Sequence, residues 1–378
     1  MAAAAAPAAA QRAAESSPEE AAFIVRLGTD TVAVERFTRG AGRLDGERLL
    51  RYPRTSLVRY GATLGSDGAI TRFESSTVPL ATDSTPASST VVFGMDSVRV
   101  TLVSGDSTRA YALNPGTAEA SIFLPFSFAL YEQLVRRVIG RGSDSAAAEL
   151  IFPGVFNPLP TSVRRIAADS AAIDFFGAPL LIRTDRAGRI LGVDGSATTQ
   201  KVTVTRERHV DVMALARAFV AREAAQGTPG QLSPRDTVRA VIGAAEIQID
   251  YGRPRARGRA IMGGIVPWGE VWRTGANAAT GFSTSADLLL GGVEIPAGDY
   301  TLYSIPRPDG AELIVNRQTG QWGTEYDPTL DLVRIPLDRR ELAAPVEAFT
   351  IAVDPADGGA RLRFAWERTE WTVTMAPR

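Results

Sequence analysis

The chain reads as a mainly β protein in two parts: a large N-terminal antiparallel sheet or half-barrel carrying one or two helices, and a C-terminal β-sandwich. Three observations predict this. Short stretches of alternating apolar and polar residues follow one another closely, each ended by Gly, Asp, Asn or Pro, as in strands buried on one face. Only residues 126–139 and 211–226 carry apolar side chains at helical spacing. All five tryptophans, Trp268, Trp272, Trp322, Trp366 and Trp371, fall in the last third of the chain, so two cores of different composition are expected. With 378 residues, of which 45% are hydrophobic and 22% charged, there is enough apolar material for both.

Residues 1–20 form an Ala/Pro-rich arm without a core-forming pattern. Ala8, Ala9 and Ala10 have the small-residue look of a cleavage site but lack the charged and apolar regions of a signal peptide. Residues 21–212 are the N-terminal β region. Residues 31–37 alternate, and residues 57–64 and 69–74 flank the hairpin turn Ser66, Asp67, Gly68. Stretches 91–93, 97–103, 108–113 and 121–124 continue the series, and 171–176, 180–184, 189–193 and 202–205 close it. The Ser/Thr/Pro-rich residues 75–90 are expected as a long loop. Residues 126–139 read as a helix lying on the sheet. Residues 211–226 read as a second helix, capped by Asp211 and ended by Gly227, with 227–244 as a linker within which residues 235–245 read as a first strand of the second part. Residues 245–378 form the sandwich. Its strands are expected at 246–251, 269–273, 282–285, 288–290, 295–298, 300–305, 312–316, 332–336, 349–353, 360–366 and 371–375.

Composition removes whole classes of chemistry. A net charge of −1 provides no field for nucleic acid or an anionic membrane. Tyr52, Tyr60, Tyr111 and Tyr131 are not interleaved with a basic run, so a base-stacking surface is not expected. The absence of cysteine excludes thiol nucleophiles, cysteine-held metals and disulfides. The one histidine, His209, lies beside Arg206 and Arg208, poor company for a base or a cation ligand. No metal and no cofactor are therefore expected. Neither a Gly-x-Ser-x-Gly elbow nor a phosphate-cradling Gly loop with its Lys occurs. No apolar run is long enough to span a membrane. Positive charge is carried by arginine, with Lys201 as the single lysine.

Residues 251–277, YGRPRARGRAIMGGIVPWGEVWRTGAN, hold six glycines and two tryptophans among arginines. Together with PAGDYTLYSIP and NRQTGQWG, this segment resembles the domain of unknown function 2911 family, over residues 245–378. The N-terminal region resembles half-barrel carriers of lipid or lipoprotein chains. The family resemblance implies a secreted or periplasmic bacterial β-sandwich and carries over no catalytic residue. In physical terms, Trp272 and Trp322 read as core anchors. Arg273 is expected to stack on Trp272 or pair with Glu270, and Asn277 to cap a turn through its amide. Trp268, Trp272, Arg273, Thr274, Asn277, Asn316 and Trp322 form the candidate ligand or partner surface. Within it, Arg273, Thr274, Asn277 and Asn316 would compose a polar pocket for a carboxylate or sugar. Glu325 and Asp327, flanking Tyr326, read as solvated loop carboxylates.

The expected role is a non-catalytic structural or docking subunit, periplasmic or extracytoplasmic, held on a membrane complex by a protein partner. The resembled domain also carries an association with accessory subunits of bacterial photosynthetic reaction-centre assemblies. One alternative is a periplasmic carrier whose Phe123, Phe126, Phe128, Phe175 and Phe176 line a lipid cavity. Another is a hydrolase or lyase working through Arg, Asp and Tyr, which would need a strongly perturbed carboxylate in a pocket.

Overall fold

In the computed structural model, residues 18–80, 86–114, 119–175 and 177–378 are described. The first strands are Glu19–Leu27 (β1), Asp30–Arg39 (β2), Arg43–Leu50 (β3), Ser56–Leu64 (β4) and Ile70–Val78 (β5). Ala87–Phe93 (β6), Val98–Ser104 (β7) and Ser107–Leu113 (β8) extend them outward. After Glu119–Ile122 (β9) comes the helix Phe128–Gly140 (α1). The chain then adds Ser145–Ile151 (β10), Leu159–Ala167 (β11) and Ser170–Phe175 (β12), followed by Ala178–Thr184 (β13), Ile190–Asp194 (β14) and Thr203–Glu207 (β15). These form one 15-stranded sheet, ordered β8 to β1 and then β15 to β9. Pairing is antiparallel except between β9 and β10, which run parallel because α1 connects them.

The sheet curls around α1. Strands β5 and β9, remote in the strand order, approach one another. The inward stripe of α1 packs Phe128, Tyr131, Leu134, Val135 and Val138 against the strands. Phe23 stacks on Phe37 at 5.6 Å, and Phe128 meets Tyr131 edge-on at 5.5 Å. A charged knot fixes the helix register. The fully buried carboxylate of Glu132 accepts from Arg39, from Arg206 at 2.6 Å and from the Ile190 amide at 2.6 Å. Glu19 on β1 receives the other Arg206 nitrogen and Arg136. A second buried carboxylate, Glu35, accepts from the Ala129 amide at 2.9 Å and the Tyr60 hydroxyl at 2.5 Å, tying β2 to the first turn of α1. Gly46 lies opposite Tyr60, where a Cβ would sit 2.4 Å from the ring, so glycine there gives the tyrosine its path to Glu35.

On the outer face, helix Val212–Gln226 (α2) covers Val34, Leu49 and Leu57. Asp211 caps it, its carboxylate accepting from the Ala214 amide at 2.8 Å.

The second part comprises Arg235–Ile242 (β16), Ala245–Gly252 (β17), Thr280–Thr284 (β18), Leu288–Leu290 (β19) and Val293–Ile295 (β20). Gly298–Arg307 (β21), Gly310–Asn316 (β22), Asp331–Ala356 (β23) and Gly359–Pro377 (β24) complete it. The order is β16-β17-β18-β21-β22-β23-β24-β19-β20. Strands β23 and β24 are 26 and 19 residues long. They bend at register shifts between Glu341, Val346 and Thr350, and β16 meets both of them, so the sheet doubles back on itself. Phe282, Phe349, Phe364, Trp366 and Trp371 fill the space between the layers.

Several expectations are corrected. The separate strands expected at 332–336 and 349–353 are parts of β23, and those at 360–366 and 371–375 are parts of β24; bulges bend a strand without ending it. Residues 269–273 form no strand, only a two-hydrogen-bond bridge from Trp272 to Ser304. Within the 227–244 linker, the first strand read from residue 235 is β16, which pairs along its whole length with β17. Most of the loop expected at 75–90 is paired sheet, with Ser75 opposite Ser89 and their hydroxyls 2.8 Å apart; residues 81–85 lie outside the described residues. Of the arm, Glu19 and Glu20 belong to β1, and residues 1–17 lie outside the described residues. Strands β3, β10 and β11 were not expected. Their sequences, RLDGERLL, SAAAELI and LPTSVRRIA, mix glycine, proline and helix-favouring alanine, and tertiary pairing overrides such local preferences.

Candidate functional site: a cationic cleft between the two sheets

The two parts meet through Arg257. Its backbone is left-handed, with φ 52, and its carbonyl accepts from the Thr29 amide at 3.0 Å in the β1–β2 turn. Its guanidinium pairs with Asp30, donates to the Tyr52 hydroxyl at 3.1 Å and stacks over the Tyr52 ring. Gly28 permits this approach. It has φ +61, and a Cβ there would lie 2.1 Å from the Arg257 carbonyl oxygen. The 253–257 stretch is itself fastened to β23, where the Ala256 amide bonds Glu347 and the Phe349 amide bonds Pro254.

Beside this junction lies a cleft of about 720 Å³. One wall comes from the β14–β15 connection, 197–201, with Leu27 and Phe126. The other comes from the second part, chiefly Arg259, residues 270–277 and Tyr326. Volume and mixed lining match sites that bind small molecules.

The 270–277 loop is held from beneath. Trp272 is 8% exposed; its ring stacks on Trp366 at 6.0 Å and meets Phe349 edge-on at 5.0 Å. Thr274 is buried at φ 48, an outlier for a β-branched residue, and its hydroxyl donates to Ser304 at 2.9 Å. Asn277 is also left-handed, at φ 64, and its carbonyl accepts from the Gly323 amide at 2.9 Å. Gly323 lies against the Arg273 stem, where a Cβ would fall 2.5 Å from Cδ. A strained, doubly anchored backbone thus fixes Arg273 at the cleft.

Arg273 has no hydrogen-bond or ion-pair partner among the described residues, and its Nη1 is buried. Burial alone pushes its pKa down. Lys201, also left-handed at φ 55, donates to the Ser196 carbonyl at 2.7 Å. Its pKa is lowered by burial and then by the charges of Arg273 and Arg259, with Glu270 opposing. Arg259 bonds only backbone carbonyls, those of Ala256 at 2.9 Å and Arg255 at 2.6 Å, and is lowered by burial and by Arg257. The cleft's one lining carboxylate, Glu270, is exposed and in no ion pair among the described residues. Tyr326 donates to Asp331 at 2.7 Å; burial and that bond push its phenol up to about 12, so it stays protonated at neutral pH.

The seven expected residues are not one constellation. Trp272, Arg273 and Asn277 line the cleft. Thr274 is buried behind it. Asn316 is fully buried elsewhere, donating to the Asp327 carbonyl and the Asp331 carboxylate, both at 2.9 Å, and accepting from the Gln318 amide. It organises the turn after β22 and does not join Arg273. Trp268 and Trp322 are 36% and 44% exposed and outside the cleft lining, so Trp322 is no core anchor. Arg273 neither stacks on Trp272 nor pairs with Glu270, and Asn277 acts through its carbonyl. Asp327 caps the short turn Pro328–Leu330, bonding the Thr329 amide at 2.9 Å. Phe123 and Phe128 are core residues packed around α1, while Phe126 is half-buried at the cleft edge; nothing is described for the Phe175 side chain or for Phe176. Lys201, Arg259 and Glu270 were not expected in the site. The lysine's solitary occurrence was the one available signal, because the cleft joins segments about as far apart as 201 and 273.

Residues 233–375 match the family described as protein of unknown function DUF2911. This is the family resembled by the 251–277 string, and the match includes Arg259, the Arg273 loop and Tyr326 but not Lys201. Among solved structures, the chain is similar to a DUF1089 family protein from Pseudomonas aeruginosa, at 12% identity and TM-score 0.30, covering 44% of this chain and 90% of that one. It is also similar to a β-barrel-like protein of domain of unknown function DUF1849 from Brucella abortus, at 11% identity and TM-score 0.33, covering 51% and 98%. No curated protein matches the chain. Among the described residues no helix is long and apolar enough to cross a membrane, and no cluster of three or more His, Asp or Glu could hold a metal ion.

Proposed function

We propose that this protein recognises a small anionic ligand in the cleft between its two sheets, by binding and without covalent chemistry. One observation carries the reading: Arg273 is held by a strained loop with a buried, unpartnered nitrogen. Holding one guanidinium donor out of water without a hydrogen-bond partner costs on the order of 1–3 kcal/mol, which a bound anion would offset. Carboxylates suit the planar guanidinium, which offers two parallel donors. Phe126, Trp272 and Tyr326 supply apolar walls for the ligand's body. The test is a thermal-shift screen of small carboxylates at constant ionic strength, repeated on Arg273→Gln. Stabilisation by carboxylates that disappears in the variant supports the reading. A flat response in the wild type, or an equal response in both, defeats it.

A second reading, docking on an extracytoplasmic membrane complex, draws on a different face. Ile166 and Leu181 are exposed and line one shallow surface depression over β11–β14, and neither belongs to the cluster covered by α2. Clustered exposed aliphatics mark partner surfaces. Leu181→Asp should abolish retention on native membranes while leaving carboxylate binding intact. Unchanged retention would remove this reading.

A further inference from the structure

We infer that the ligand of the cleft is a doubly charged organic anion of the dicarboxylate class, one end on Arg273 and the other on Lys201, bridging the two parts. The inference rests on the anion-binding reading and goes further by naming the charge and span of the ligand. Three cations, Lys201, Arg259 and Arg273, line the cleft against one carboxylate, Glu270, and none of the four is in an ion pair among the described residues. Two positive charges are left over. A monoanion would offset one and leave the other, and Arg273 and Arg259 already act repulsively on Lys201. Lys201 comes to the cleft from the β14–β15 connection and Arg273 from the 270–277 loop, so each part of the chain supplies one cation. Lys201 holds its place through the Ser196 carbonyl, and Arg273 through the packing of its stem on Gly323. Neither cation is anchored by a carboxylate that an incoming ligand would have to displace. The cleft is also much larger than an inorganic oxyanion needs, and its apolar lining, including Phe126 and Trp272, fits the methylene body of a short diacid.

The experiment is calorimetric titration of the full chain with glutarate, succinate, acetate and inorganic phosphate at fixed ionic strength. Wild type is compared with Lys201→Gln, Arg273→Gln and the conservative Arg273→Lys, after melting curves establish that each is folded. At least one diacid should bind about tenfold or more tightly than acetate, a gain of about 1.4 kcal/mol. Lys201→Gln should cancel that advantage, weakening diacid binding several-fold more than acetate binding. Arg273→Gln should weaken both classes, and Arg273→Lys should restore part of the diacid binding. If diacids bind no better than acetate, the bridging inference falls and the anion site stands. If phosphate binds and diacids do not, the site is a compact oxyanion pocket and the inference again falls. If nothing binds, both readings fall together.

Discussion

At the scale of single residues, Trp272 and Trp322 separate two kinds of tryptophan that share a glycine-rich setting. Trp272 is wedged between Phe349 and Trp366 and bridged to Ser304, whereas Trp322 keeps nearly half its surface in water. Trp272→Ala should therefore cost about 3–5 kcal/mol in urea unfolding. Trp322→Ala should fall within about 0.5 kcal/mol of wild type, as for substitutions away from the core. Equal losses would show that the second ring is an anchor after all. Lys201 sets the pH dependence. Its folded pKa lies below the usual lysine value of 10.5, so the unfolded chain binds the proton more tightly. Without ligand, stability should rise with pH across the window between the two values. Anion affinity should do the opposite, holding through neutrality and falling as Lys201 deprotonates below pH 10.5. Calorimetry across alkaline pH checks this; a profile shared by Lys201→Gln would assign the titration elsewhere.

At the scale of elements, α1 is held inside the curled sheet by its apolar stripe and also by Glu132, which reaches β2, β14 and β15 at once. Such a carboxylate cannot be lost cheaply, because Arg39 and Arg206 would be left under the helix sharing Glu19 as their one counter-charge among the described residues. Glu132→Ala should lower stability by about 3–5 kcal/mol, read from denaturant midpoints. A loss below about 1 kcal/mol, typical of an exposed pair, would mean that water enters the knot. The interior of the curled sheet is filled by Phe128 and its helical neighbours, which pack against the strands. Glu35, whose pKa is raised by burial, is fully buried at the first turn of α1 and does not line the cleft.

At the scale of the whole molecule, the cleft exists only while the two parts remain docked, and Arg257 is their main polar fastening. Arg257→Ala should enlarge the radius of gyration in solution scattering and speed proteolysis across 227–234, with both cores intact by circular dichroism. Gly28→Ala should act similarly, because its Cβ would collide with the Arg257 carbonyl. If neither variant loosens the pair, apolar contact and the connector suffice to hold it. Loosening should also weaken diacid binding more than acetate binding, since only the diacid draws on both walls.

The sequence by itself determined the β class, both helices, the hairpin at Asp67 and Gly68, the tryptophan-rich second core and the family matched by residues 233–375. These are local matters: alternation, turn residues and caps act over a few neighbours, and a long glycine-marked string is specific by its length. Arg273 and Asn277 were legible for the same reason, being close together in one distinctive loop. Only the tertiary structure decided that Lys201 and Arg259 face Arg273, that Asn316 is consumed by its own turn, that Trp322 is exposed, and that 332–356 is one bent strand. Each depends on pairing and burial between segments distant along the chain. No periodicity records which carbonyl, ring or charge will lie opposite a given side chain once the sheets have curled and docked.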